Sequence, residues 1–518
     1  MIKLITLLLV VVCGVQYAGA QVPQPEIKWI KGIGGNNITG VLKQVTPATD
    51  GGFILAIGTN ATAGTGNVDS FCLLSGNRQV FVKYNSDATA IEWSKCLVMD
   101  GDTTISYIFP TADGGFVFGG ICTAGGFYIC KQNAVGNIVW SREYSKGSSL
   151  GLRCMIATDD GGYIMGGGSY YVDSNVLTHF GSWTYSDIFV IKVDSNGNKA
   201  WTRVLGGTDD DVVYQVSQGP HHGYYVIGQT YSNDIDCIGN HGIVDGFVAR
   251  LDSVGNLLWH KDFGGSVGDG FSCAVPNGRG GMVIGGAARS NDGDVTHHFG
   301  SGSVFWIVNI DSNGTQLWDS CYGGGGYESP NSMCKAADGS LWLVGVSSAK
   351  GGTVDTDYGN ENAWFLHIDS NGKFINAKVL GSHNDDRGMM VYPLSNGNVI
   401  GGGFFQAQDG AFANATFYGG VDGFLVEFTS EPDLVKQIKT ITGIVNIYPN
   451  PVGDILTISA ERNSRYNLEV NDVIGRIIYK SAFIGTANIV VSGWVKGVYI
   501  LSLTDDDGGK IIERIVLQ

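Results

Sequence analysis

The chain has 518 residues, 79 of them glycine, with an apolar fraction of 43% and an aromatic fraction of 11%. Disorder would lower the aromatic share, and collagen would need a strict three-residue glycine period, so both classes are excluded. Only 15% of residues are charged and the net charge is −16. With no basic cluster to offset it, that balance excludes nucleic acid as a partner and leaves a globular chain of short strands and glycine-rich turns.

The first element, MIKLITLLLVVVCGVQYAGA, has a lysine, a short apolar run and the small-residue end Ala18-Gly19-Ala20. It reads as a signal peptide over residues 1–20, cut before Gln21. The run is too short to span a bilayer, and no later segment approaches the ~20 apolar residues a transmembrane helix needs. The mature protein is expected outside the cytoplasm. Nine cysteines then remain, none with C-x-x-C spacing. They read as buried thiols with some disulfides formed after export, the pairing open.

Residues 26–35, EIKWIKGIGG, form a lone strand with no partner before them. A repeat follows. Segments such as FVIKVDSNGNKAW (189–201), FVARLDSVGNLLW (247–259) and WIVNIDSNGTQLW (306–318) open at Phe81, Tyr128, Phe189, Phe247, Trp306, Trp364 and Phe424. A second motif, DGGFILAIG from Asp50 or DGGYIMGGG from Asp160, also occurs seven times. Each motif is a tight turn joined to a strand. In the repeat around Trp201 the predicted strands are 212–217, 224–229, 247–251 and 257–262. Four strands per repeat, seven times, predict an all-β, seven-bladed propeller over residues 21–430. The seventh copy stops after FLVEF (424–428), so the strand at 26–35 is expected to pair there and close the ring. Tryptophans 29, 93, 140, 201, 259 and 318 are then packing residues between blades. The D-x-x-G-x-x-x-W pattern resembles quinoprotein-type and other bacterial propeller repeats. The resemblance implies the fold and transfers no cofactor.

Residues 431–443 read as a linker. The stretch from 444 to 518 carries Tyr448-Pro449-Asn450-Pro451, a D-x-x-G turn ending at Gly475, and the strand Gly497-Val498-Tyr499. This combination resembles the type A C-terminal sorting domain of type IX secretion. The resemblance implies a small β-sandwich read by the type IX secretion machinery, and delivery to the outer cell surface or the medium.

In such a blade the loops between strands 2 and 3 share a face with the connections between blades. That face holds the long segments 59–80, 168–187, 230–245, 288–303, 347–362 and 404–421, and ligands are expected there or in the central channel. Asp234, Asp236, Asp292, Asp294, Asp355 and Asp357 lie in these loops as weak metal candidates, with Ca2+ the ion their oxygens suit. None belongs to a complete calcium loop, and solvated turn aspartates are the preferred reading. His179, His241, Tyr358 and Tyr418 precede glycine or Phe-Gly at loop ends and read as packing residues. No nucleophile elbow, HExxH or P-loop occurs, so the catalytic residues stay unknown. The leading expectation is a non-catalytic binding or adhesion module for a glycan or a surface protein. The alternatives are a polysaccharide hydrolase or lyase at the channel mouth, and a structural surface-layer component.

Overall fold

The computed structural model describes residues 24–34, 41–48, 50–59, 78–86, 89–97, 104–122, 125–144, 151–171, 178–429, 445–460, 464–472, 476–505 and 510–517. The expected leader, the linker 431–443, Gly475 and Cys72 lie outside them. The chain divides into two compact units, Met1–Glu431 and Pro432–Gln518.

The first unit is a seven-bladed β-propeller of four-stranded antiparallel sheets. Blade 4 shows the pattern, with Asp211–Gln218 innermost, then Tyr224–Thr230, Asp245–Leu251 and Leu257–Phe263 outermost. The inner strands of the other blades are Val41–Pro47, Thr104–Pro110, Leu152–Ala157, Asp269–Pro276, Glu328–Lys335 and Arg387–Pro393. Each blade packs on the next, and blade 7 packs on blade 1. Ile27–Ile33 pairs antiparallel with Asp422–Phe428 as the outer strand of blade 7, Ile30 opposite Val426. The expected closure is present. Leu42, Phe53 and Val82 of blade 1 share one core with Met390, Ile400 and Leu425 of blade 7.

The repeat exists because its turn and its tryptophan meet across the blade boundary. In Asp194-Ser195-Asn196-Gly197, the Asp194 carboxylate accepts the Asn196 and Asn198 N–H groups, both at 2.8 Å. Gly197 has φ +73°, a conformation costly for any other residue. A Cβ on it would lie 2.7 Å from the Trp140 ring of the preceding blade. The same contact joins Trp201 to Gly255, Trp259 to Gly314 and Trp318 to Gly372. Trp201 and Trp259 also donate their indole N–H to the Ser253 and Ser312 carbonyls, at 3.0 and 3.1 Å. These tryptophans pack between blades, as the sequence predicts.

The seven cysteines whose side chains are described are free; six are buried and Cys321 is half-buried. Burial pushes the Cys154 and Cys273 thiols up to about 12, which leaves them as unreactive packing groups.

The second unit has two sheets. One orders Val445–Tyr448, Ile455–Ala460 and Thr486–Val490; the other orders Ile477–Ile484, Arg465–Asp472, Gly497–Asp505 and Lys510–Leu517. They share a core of Leu456, Ile458, Tyr466, Leu468, Leu501 and Ile515.

Candidate binding site in the central channel

The seven inner strands surround a cavity of about 950 Å³. All seven carry a β-bulge at the same point, where one extra residue breaks the register with the second strand. In blade order the extra residues are Lys43, Ser106, Arg153, Tyr214, Ser272, Asn331 and Met389. A bulge re-aims the side chain it adds, and from blade 3 to blade 7 these side chains line the channel. The offset is fixed: Arg153 precedes Asp160, Tyr214 precedes His221 and Asn331 precedes Asp338 by seven residues each.

Side chains beside the bulges stitch neighbouring inner strands together. Gln215 accepts the Ala274 N–H at 2.8 Å and donates to the Ala274 carbonyl at 2.7 Å. Gln44 accepts from Ile108 N, and Tyr107 donates to the Arg153 carbonyl. Ser272 donates to the Pro330 carbonyl at 2.5 Å, and Asn331 to the Gly388 carbonyl at 2.8 Å. The ring of inner strands is thus a preorganised polar collar.

Around Tyr214 the lining becomes aromatic. The Arg153 guanidinium sits 5.5 Å from the Tyr214 ring centre. Burial pushes the Tyr214 hydroxyl above its usual range, Arg153 opposes the shift, and Tyr231 and Tyr327 add to it. At the long-loop face, Trp183 is 75% exposed, and Tyr185, Tyr231 and Ile243 are exposed around a hollow of about 290 Å³ that also holds Asp209 and Asp210. Flat aromatic faces beside hydrogen-bonding groups can stack on and orient a polyhydroxylated ring.

The predicted metal candidates do not converge. Asp234 accepts the Thr208 N–H and hydroxyl, each at 2.9 Å. Asp292 accepts Ser266 N at 2.8 Å, and Asp294 accepts Gly264 N at 3.2 Å. Asp355 accepts from Gln24 and Asp357 from Asn362, both at 2.9 Å, while Asp236 lies 3.8 Å from Arg203. Among the described residues no three His, Cys, Asp or Glu side chains group so as to hold a metal ion. The loop aspartates are engaged by backbone N–H groups or by neighbouring side chains.

A second acidic set, outside the six predicted metal candidates, is buried at the strand starts. Asp187, Asp245 and Asp422 open third strands, and their carboxylates accept the backbone N–H of Phe180, His241 and Tyr418. These are the loop-closing His and Tyr segments noted in the sequence, and their role is this structural clasp. Asp211, Asp269 and Asp386 do the same work at the inner strands. Burial pushes Asp187, Asp386 and Asp422 up to about 6, despite these hydrogen bonds. The signal was present: each third-strand aspartate stands two residues before the repeat's opening aromatic.

In the C-terminal unit, Tyr448–Pro451 is an exposed turn. Asn450 clips it to the final strand, donating to the Arg514 carbonyl at 2.7 Å and accepting Val516 N at 2.9 Å. Tyr499 is buried beside Trp494 and donates to the Val495 carbonyl at 2.7 Å, and Gly497 opens its strand. Residues 446–518 match the family described as the secretion system C-terminal sorting domain. The chain is exported to the cell surface or beyond it. Its sorting domain implies contact with the type IX secretion machinery, and no helix among the described residues is long and apolar enough to cross a membrane.

The chain is also similar to an endo-acting ulvan lyase from Formosa agariphila, 26% identical over 182 residues, which is 35% of this chain. It spans 31% of that protein's length. Similar solved structures include BBS1N in complex with ARL6DN, with TM-score 0.41, 9% identity, and coverage of 79% of this chain and 97% of that one. Another is a subtype N10 neuraminidase-like protein of A/little yellow-shouldered bat/Guatemala/060/2010, with TM-score 0.35, 10% identity, and coverage of 78% and 99%.

Proposed function

We propose that the propeller is an extracellular glycan-binding module whose ligand seats at the channel mouth on the long-loop face. The reading takes residues 1–20 as the leader and 431–443 as the linker to the sorting unit. One observation carries it: from blade 3 to blade 7 the bulge aims one side chain per blade into the channel, giving a polar and aromatic collar. The exposed Tyr185 and Tyr231 line a hollow on the long-loop face. Hydrolysis by a pair of carboxylates finds no support in the described lining. Its one carboxylate, Asp269, is engaged by the N–H groups of Gly265, Arg289 and Ser290 at 2.8 to 3.1 Å.

A lyase is the second reading. The similarity to an ulvan lyase favours it, and a channel tyrosine with an arginine guanidinium against its ring offers a proton-transfer group and a cation for elimination. A panel of plant and algal polysaccharides, titrated against the purified full-length chain while the ultraviolet absorbance of unsaturated sugar ends is followed, separates the two. Saturable binding with flat absorbance is expected. Rising absorbance that Tyr214→Phe abolishes, with binding retained, would replace the binding module by the lyase.

A further inference from the structure

The chain carries 32 Lys and Arg against 48 Asp and Glu, so carboxylate partners abound. Arg387 takes one at 2.5 Å from Glu361, and Arg203 lies 3.8 Å from Asp236. Arg153 and Arg289 do not. Both are exposed, both line the channel, and neither has an ion-pair partner among the described residues. They stand in blades 3 and 5, flanking Tyr214 and Gln215 of blade 4. Among the described lining residues Lys335 is the third cation, against the single buried carboxylate of Asp269. The channel is therefore positive inside an acidic protein, and low-dielectric walls focus such a field.

We propose that this site takes an anionic glycan unit, a sugar bearing carboxylate or sulfate, with Arg153 and Arg289 as its charge-pairing residues. The inference rests on the glycan reading above and names its substrate class. A guanidinium meets either oxyanion with two parallel N–H donors. Arg153 is held against the Tyr214 ring, which limits its freedom before the ligand arrives. Its backbone is fixed too, at a bulge and by the Tyr107 hydroxyl. The net charge of −16 repels the same polyanion over the surface as a whole, and the cationic lining favours its entry into the channel.

Calorimetric titration of the full-length chain with oligogalacturonate, with its fully methyl-esterified form and with a sulfated galactan of equal length tests this directly. The ester removes the charge and keeps the sugar. At least one acidic oligomer is expected to bind about tenfold or more tightly than the ester, and to weaken as salt is raised. Which oligomer binds tells carboxylate from sulfate. The R153Q/R289Q double variant is expected to lose about tenfold in affinity with its melting temperature unchanged. Equal binding of acid and ester by the unaltered chain would overturn the inference while leaving the glycan reading intact. So would a folded double variant that binds the acid undiminished, or binding of neutral glycans alone. Failure of the unaltered chain to bind any glycan would remove both.

Discussion

At the scale of single residues, buried carboxylates set the pH response of the propeller. Asp262 is buried, both its oxygens lack a hydrogen-bond partner among the described residues, and its pKa is pushed up to about 7 by burial and by the charges of Asp245 and Asp211. An aspartate free of such burial titrates near 3.8. The native state therefore holds its proton more tightly, and this contribution to stability is complete below about pH 4 and lost as pH rises through about 7. Asp262→Asn should raise stability at pH 7.5 by roughly 2–4 kcal/mol and have little effect at pH 4, as read from thermal melts at both values. Glycines act by geometry. Gly255, with φ +86° and the Trp201 ring 2.7 Å from where a Cβ would stand, should cost about 2 kcal/mol or more as Gly255→Ala, measured by urea denaturation. An unaltered midpoint would show that the tryptophan contact is loose. Such residues were only half visible in the sequence. The turn glycines announced themselves by spacing. Asp187, Asp245 and Asp422 share a fixed spacing too, but in an Asp-rich chain an aspartate beside a strand looks like any other turn residue until burial is known.

At the scale of elements, third and outer strands were readable because both carry sequence-fixed tasks. The third strand is buried on both faces, as in Asp187–Val193, and the outer strand must present its tryptophan to the next blade. In blade 4 the predicted strands match the observed ones to within two residues at each end. The inner strands were less informative. Their bulge positions hold Lys, Ser, Arg, Tyr, Ser, Asn and Met, with no shared chemistry for a repeat to reveal. Only their constant distance of seven residues from the following turn marks them. Gln215 ties two inner strands, so Gln215→Ala strands a donor and an acceptor of Ala274. Chemical denaturation should show a loss of about 1–3 kcal/mol. A loss near zero would mean that water replaces Gln215, and that the collar is softer than described.

At the scale of the whole molecule, the channel exists because the ring closes, and closure depends on a strand from the far end of the sequence. That pairing was predictable from arithmetic alone: seven third strands, six complete outer strands, and one unpartnered strand at residues 26–35. The sorting unit was equally clear from its motifs, whereas the site was not, because it is assembled from inner strands of separate blades. Arg153, Tyr214, Tyr327 and Arg289 become neighbours in one channel only when the blades are arranged radially. The account therefore stands on the pairing of Ile27–Ile33 with Asp422–Phe428. Native-state hydrogen exchange on the full-length chain measures it directly. The amides of Asp422–Phe428 should exchange as slowly as those of Asp187–Val193, a third strand paired on both sides, and the alternate amides of Ile27–Ile33 that face Asp422–Phe428 as slowly as those of the outer strand Lys199–Leu205. Exchange of residues 27–33 at the rate of an unpaired segment, with residues 422–428 protected only as a sheet edge, would contradict the closed ring and the channel built on it.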